Sequence, residues 1–163
     1  MTFNKIDILT IIVVILVIKL SLYYYPTLEP YLAGNVYNAI ASDNFEIKTV
    51  AELKNENNVN EDIQAYYIGR ASCIDCRVAI GNTLKLSDVF SKKYKKNMSY
   101  VQLKNNINDN ERAYLDSIGI DNIPVIIISY NGVDYQFEYD DIISQNSENN
   151  FVKFMDNIVT KGD

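Results

Sequence analysis

The sequence predicts an α/β sandwich with a mixed sheet, carried on an apolar amino-terminal helix. Three observations lead there. Segments with the alternation of strands take turns with segments of helical period. The run Val125-Ile126-Ile127-Ile128-Ser129-Tyr130 is apolar enough for an interior strand, and Asn131-Gly132 after it is a strong hairpin signal. Residues Ile8 to Ile18 are apolar without interruption except at Thr10. The chain has 163 residues, 48% of them hydrophobic, which is enough for one cored domain with an appendage.

Taken in order, residues 1–7 form a short tail expected in the cytoplasm. Residues 8–25 make a segment of about 18 residues, near the minimum that crosses a hydrocarbon core. Lys19 lies where its stem reaches the interface, Tyr23-Tyr24-Tyr25 form an aromatic belt, and Pro26 is expected to stop the helix. The competing reading is a cleaved signal peptide. Ala39-Ile40-Ala41 has the small-x-small pattern but lies far beyond the apolar run, so the anchor is favoured. Lys5 precedes the segment, and after Lys19 the next basic residue is Lys48. That bias predicts a single-pass cell-membrane protein whose carboxy-terminal domain is extracytoplasmic. Residues 26–44 carry Tyr31, Leu32, Val36, Tyr37 and Ile40 at helical spacing, as a stalk or as the first element of the domain.

The globular domain is expected over residues 45–163. A strand is predicted over Phe45–Val50, a solvated polar stretch over Lys54–Asp62, and a central strand over Ile63–Ile68. Ile74–Lys96 reads as a long helix, bent or broken near Gly81, with four lysines at its end that suit the helix dipole. Met98–Leu103 is a further strand. Asp109 is expected to cap a helix that runs through Ile118 and stops at Gly119. Val125–Tyr130 and Val133–Tyr139 pair as a hairpin, and Asp140–Val159 supplies a last helix.

Composition removes several chemistries. A net charge of −6 argues against a phosphate-binding surface and so against nucleic-acid roles. With no histidine, His-based general base catalysis, His-ligated zinc and c-type haem attachment are excluded. The only two cysteines, Cys73 and Cys76, flank Ile74-Asp75 directly after a strand and open the long helix. At a helix start the unpaired N–H groups and the dipole favour an anion, so the Cys73 thiolate is expected to be stabilised. Two intervening residues bring the second sulfur within reach, so the pair can cycle between dithiol and disulfide. A structural zinc would need about four ligands, and two cysteines alone do not supply them; no metal and no cofactor are expected. An inert structural disulfide remains a competing reading, although so small a loop stabilises little.

Two motifs resemble the thioredoxin-like superfamily: Tyr66-Tyr67-Ile68-Gly69-Arg70-Ala71-Ser72-Cys73-Ile74-Asp75-Cys76-Arg77, and Ile120-Asp121-Asn122-Ile123-Pro124-Val125-Ile126-Ile127-Ile128. The element order between them matches too, and the likeness covers about residues 45–160. Within the superfamily, Ile68-Gly69-Arg70 before the cysteines resembles bacteriocin transport accessory or bacteriocin-maturation disulfide proteins. The resemblance implies a thioredoxin-like fold, Cys73 as attacking and Cys76 as resolving thiol, a cis Pro124 beside Cys73, and an Ile123 backbone that pairs with the substrate strand. There are departures. The residues between the cysteines lack proline, Ser72 replaces an aromatic residue, and Tyr67 stands where reducing members carry a buried carboxylate. Asp75 is a partial substitute for that carboxylate but would raise the thiol pKa values, while Arg70 and Arg77 would lower them; both arginines equally suit a solvated surface.

The function expected on these grounds is a membrane-anchored, extracytoplasmic thiol–disulfide oxidoreductase. It would act as oxidase or isomerase on cysteine-containing secreted proteins or bacteriocin-like peptides and be recycled by a membrane-embedded or soluble redox partner. The alternatives are a reductase of the cytochrome-maturation type, a non-enzymatic accessory of peptide export, and a tethered redox protein facing the cytoplasm.

Overall fold

In a computed structural model the backbone is described over residues 5–57 and 63–162, and the side chains of those residues except 5–12, 21–31, 57, 161 and 162. Eleven elements follow in the described chain: α1 Lys5–Asn44, β1 Glu46–Lys48, α2 Val50–Asn57, β2 Gln64–Gly69, α3 Ile74–Tyr94, β3 Ser99–Gln102, α4 Asp109–Ser117, β4 Val125–Tyr130, β5 Val133–Glu138, α5 Tyr139–Ile143 and α6 Ser147–Gly162. The strands form one sheet in the order β1-β3-β2-β4-β5. β3 runs parallel to both β1 and β2; β4 is antiparallel to β2 and to β5.

Strand alternation divides the core into two layers. Ala65, Tyr67, Tyr100, Ile126 and Ile128 pack with Tyr37 and Ala41 of α1, Phe90 of α3, and Phe151 and Met155 of α6. Tyr66, Ile68, Val101, Val125 and Ile127 face the other way, onto Val50 and Leu53 of α2 and Leu115 of α4. Burial on both faces is why β2 and β4 read as near-continuous apolar runs. The hairpin forms as its sequence predicts. Asn131 (φ 51°) and Gly132 (φ 75°) both take the left-handed conformation that a tight two-residue turn requires.

Several sequence expectations are corrected. Pro26 does not stop the first helix, which continues through Pro26 and Pro30 to Asn44. Each proline removes one backbone donor, but the turns on either side keep theirs. The tail 1–4 lies outside the described residues, as do the side chains of 8–12 and 21–25 in the expected membrane segment. Among the described residues no helix is long and apolar enough to cross a membrane. Within that segment, Val13–Ile18 and Leu20 are each about half exposed.

The polar stretch after β1 is partly helical. Glu52 accepts from the Thr49 N–H at 2.7 Å and the Glu52 N–H donates to the Thr49 hydroxyl at 3.3 Å, a reciprocal cap that starts α2 and leads Val50 and Leu53 into the core. Residues 58–62 lie outside the described residues. α3 is unbroken at Gly81. The cap of α4 is Asn108 rather than Asp109, in a reciprocal arrangement with Glu111. The last helical region is two helices, divided at Ser144–Asn146.

Candidate functional site

The chain leaves β2 at Gly69 and turns through Arg70-Ala71-Ser72 into α3. Cys73 is the residue before the first helical turn, with extended backbone (φ −82°, ψ 123°). Its Sγ accepts the Cys76 N–H at 3.1 Å. A helix start meets an anion in this way: a free amide N–H is aimed at it. The turn is held from several sides. The Cys73 N–H donates to the Arg70 carbonyl at 3.2 Å, the Ser72 hydroxyl bonds Asn105 Oδ1 at 2.6 Å, and the Leu103 N–H donates to the Gly69 carbonyl at 2.9 Å.

The second expected motif meets the first in space. The Ile123–Pro124 peptide bond is cis. The Ile123 carbonyl lies 3.7 Å from Cys73 Sγ, within reach of a thiol donor. Fifty residues of sequence separate the two, and the β2–β4 pairing brings them together, with Ile68 opposite Val125.

Both cysteines are free thiols, and they differ in surroundings. Cys73 is half-buried and Cys76 is fully buried. Burial pushes the Cys76 thiol far above its ordinary range, and its hydrogen bond with Cys73 adds to that. The backbone N–H and the charge of Arg70 pull the other way. The surroundings of Cys76 are phenolic. The Tyr67 hydroxyl donates to the Cys76 carbonyl at 3.2 Å, and the Tyr37 hydroxyl donates to that of Tyr67 at 3.3 Å. The Tyr67 and Tyr100 rings stack at 5.5 Å, and Tyr37 meets Tyr100 edge-on at 5.9 Å. Burial raises all three phenol pKa values.

Gly69 makes this approach possible. A Cβ there would lie 2.9 Å from the Tyr37 hydroxyl and 3.3 Å from Cys76 Sγ. Sequence reasoning singled out Tyr67 but missed Tyr37, Tyr100 and the role of Gly69. Tyr37 comes from a helix remote in sequence, and nothing local marks it.

The flanking residues fall in different places. Asp75 is exposed on the first turn of α3, and its charge raises the Tyr139 pKa after the larger effect of desolvation. Arg70 lines a cavity of about 370 Å³ that also includes Ile123 and Arg112, and its Nε is buried without a partner. Arg77 lines a larger groove of about 840 Å³ between α1 and the Cys73 turn. Among the described residues no cluster suited to a metal ion occurs.

A mixed sheet in this order, with a Cys-x-x-Cys pair opening the helix after β2 and a cis-proline before β4, makes an α/β fold with a dithiol at a helix start beside a cis peptide bond. No protein-family model matches the chain, and no curated protein matches it. Among solved structures the chain is similar to mitochondrial thioredoxin 3 from Saccharomyces cerevisiae in its oxidized form. The identity is 11% and the TM-score 0.41, covering 61% of this chain and 86% of that one.

Proposed function

We propose that this protein is a thiol–disulfide oxidoreductase, anchored in a membrane by residues 8–25 and acting outside the cytoplasm on cysteine-containing polypeptides. The observation that carries the redox reading is the placement of Cys73 Sγ, 3.1 Å from the Cys76 N–H and 3.7 Å from the Ile123 carbonyl. The Cys73 thiolate attacks one sulfur of a substrate disulfide and expels the other as a thiolate, leaving a mixed disulfide. Cys76 then gives up its proton and attacks Cys73 Sγ, expelling the second substrate thiolate. Two electrons pass from the pair to the substrate; run backwards, the same steps oxidise a substrate dithiol. In this reading the Ile123 backbone beside Pro124 pairs with an extended substrate segment, which gives affinity without demanding a particular side chain.

The anchor rests on the apolar segment 8–25 and on the half-exposed Val13–Ile18 and Leu20, surface that favours a lipid environment. Lys5 ahead of the segment, with no basic residue between Lys19 and Lys48, supports this orientation. Outside the cytoplasm disulfides persist, and a domain whose only cysteines are the reactive pair suits work on other proteins. We favour oxidation or isomerisation of secreted proteins, including bacteriocin-like peptides, over reduction.

Trapping tests the assignment. Cys76→Ala keeps the attacking thiol and loses the resolving one, so it accumulates mixed disulfides visible on non-reducing gels; Cys73→Ala forms none and loses turnover. Equal labelling by the two variants would remove the enzyme reading. A membrane-impermeant thiol reagent applied to intact cells reads the side of the membrane. The reduction potential of the pair reads the direction: a value near that of the strongly reducing thioredoxins, about −270 mV, would favour the reductase.

A further inference from the structure

The cavity beside Arg70 opens on the α4 side of the sheet. Leu103 and Leu115, which line it, belong to the layer that packs on α2 and α4, across the sheet from Tyr37 and Ala41 of α1. Its volume is about 370 Å³. Two of its lining residues also touch the attacking cysteine. The Arg70 carbonyl accepts the Cys73 N–H at 3.2 Å, and the Ile123 carbonyl stands 3.7 Å from Cys73 Sγ. An extended polypeptide advances about 3.3 Å per residue, so one whose sulfur reaches Cys73 passes this cavity within about three residues.

The side chains of the cavity favour one kind of guest. Arg70 is half-buried, and its Nε is a buried donor with no acceptor among the described residues. Buried donors in folded proteins nearly always have an acceptor. The guanidinium edge is a two-pronged donor, and the acceptor that matches it is a carboxylate. At the rim Arg112 stands with Asp116 and Asp121; all three are exposed, and water and salt screen their opposing charges. The buried Leu103 and Leu115 beside Arg70 leave its charge less screened than theirs.

We propose that this cavity receives a carboxylate of the substrate polypeptide, an aspartate or glutamate within about three residues of the reactive cysteine, and holds it on the Arg70 guanidinium. The proposal rests on the thiol–disulfide exchange reading above and adds a substrate class to it.

The test uses the reduced full-length protein in detergent and two peptides of one sequence. Each carries a single cysteine as a mixed disulfide with 2-thiopyridine, a neutral leaving group. The second and third positions on either side of the cysteine are glutamates in one peptide and glutamines in the other. The Cys73 thiolate attacks the peptide sulfur, forms the Cys73–peptide disulfide and expels 2-thiopyridine, which takes up a proton as the thione and gives the rate by its absorbance. The chain's net charge of −6 works against an acidic peptide at long range, so a preference for glutamate reports the site. The glutamate peptide should react about fivefold faster than the glutamine peptide. The charge of Arg70 also acts on Cys76, so its variants are compared by this ratio and not by absolute rate. Arg70→Gln should bring the ratio to one or below. Arg112→Gln, at an exposed position that the fold tolerates, should narrow it, and Asp121→Asn should widen it. Equal rates for the two peptides, or a glutamate preference that Arg70→Gln and Arg112→Gln both leave untouched, overturn the assignment, and so does a ratio that falls in Asp121→Asn. Neutral 2-hydroxyethyl 2-pyridyl disulfide separates the two levels. If it also fails to react, the exchange reading itself falls; if it reacts while the peptides are not distinguished, only the carboxylate site falls.

Discussion

The Cys76 sulfur sits among groups that do not ionise readily. Cys76, Tyr37, Tyr67 and Tyr100 are buried and their pKa values are all raised, by desolvation first. The consequence for stability has a definite sign. A group whose folded pKa is raised contributes its stability in full below the unfolded value and loses it as pH rises toward the folded one. For the thiol the loss begins near pH 8.5 and for the phenols near pH 10, at up to about 1.4 kcal/mol per pH unit and group. Urea midpoints of the reduced protein should therefore fall between about pH 9 and 11. Tyr37→Phe should lessen the slope above about pH 10, and a flat profile there would mean that the phenols meet water. Gly69→Ala forces a methyl against the Tyr37 hydroxyl and Cys76 Sγ, at 2.9 and 3.3 Å. It should cost about 1–3 kcal/mol in urea denaturation and slow release of the mixed disulfide more than its formation. A Tyr67 at the carboxylate position was legible in the sequence, because the motif fixes its distance from Cys73. Its partner Tyr37, 30 residues away, was not, because only tertiary packing makes them neighbours.

Elements whose cause is local were legible, and those with a tertiary cause were less so. β2 and β4 announced themselves because burial on both faces demands apolar residues at every step. The Asn131-Gly132 turn did so because few residues accept positive φ. α2 was hidden. Asn and Lys dilute its period, although Thr49 and Glu52 stand at the spacing of a reciprocal cap. Glu52 is exposed and its carboxyl is held low by the Thr49 backbone and hydroxyl, so its contribution is present above the ordinary carboxylate range and lost as pH falls through the lowered value. The hairpin gives a contrast with Gly69. At Gly132 no atom lies within 4 Å of the place a methyl would take, but φ is 75°. Gly132→Ala should cost about 1 kcal/mol in thermal or urea melts through backbone conformation alone, with mixed-disulfide formation unchanged. A loss of several kcal/mol would mean that the turn is packed against something in solution.

At the scale of the whole chain, α1 joins two environments. Val13–Ile18 and Leu20 of its amino-terminal half are exposed, whereas Tyr37 and Ala41 further along are core residues at 2% and 1% exposure. The same helix that we propose enters the membrane thus forms one wall of the groove at Gly34 and supplies the phenol that meets Tyr67. The sequence left residues 26–44 open between stalk and domain element because prolines interrupt the pattern while the apolar spacing continues. Truncation separates the two roles. A chain beginning at residue 27 keeps Gly34, Tyr37 and Ala41, and should remain folded, need no detergent, and form mixed disulfides at an unchanged rate. A chain beginning at residue 45 removes Tyr37 from beside the stacked Tyr67 and Tyr100, leaving a cavity of aromatic size and exposing the sheet beside Cys76. Loss of a large buried side chain alone costs about 3–5 kcal/mol, a large share of the roughly 5–15 kcal/mol that holds a domain together. This shorter chain should therefore unfold at markedly lower urea or fail to fold. Equal stability of the two truncations would make the helix a tether only, and would separate the phenol cluster from the Cys76 thiol it surrounds.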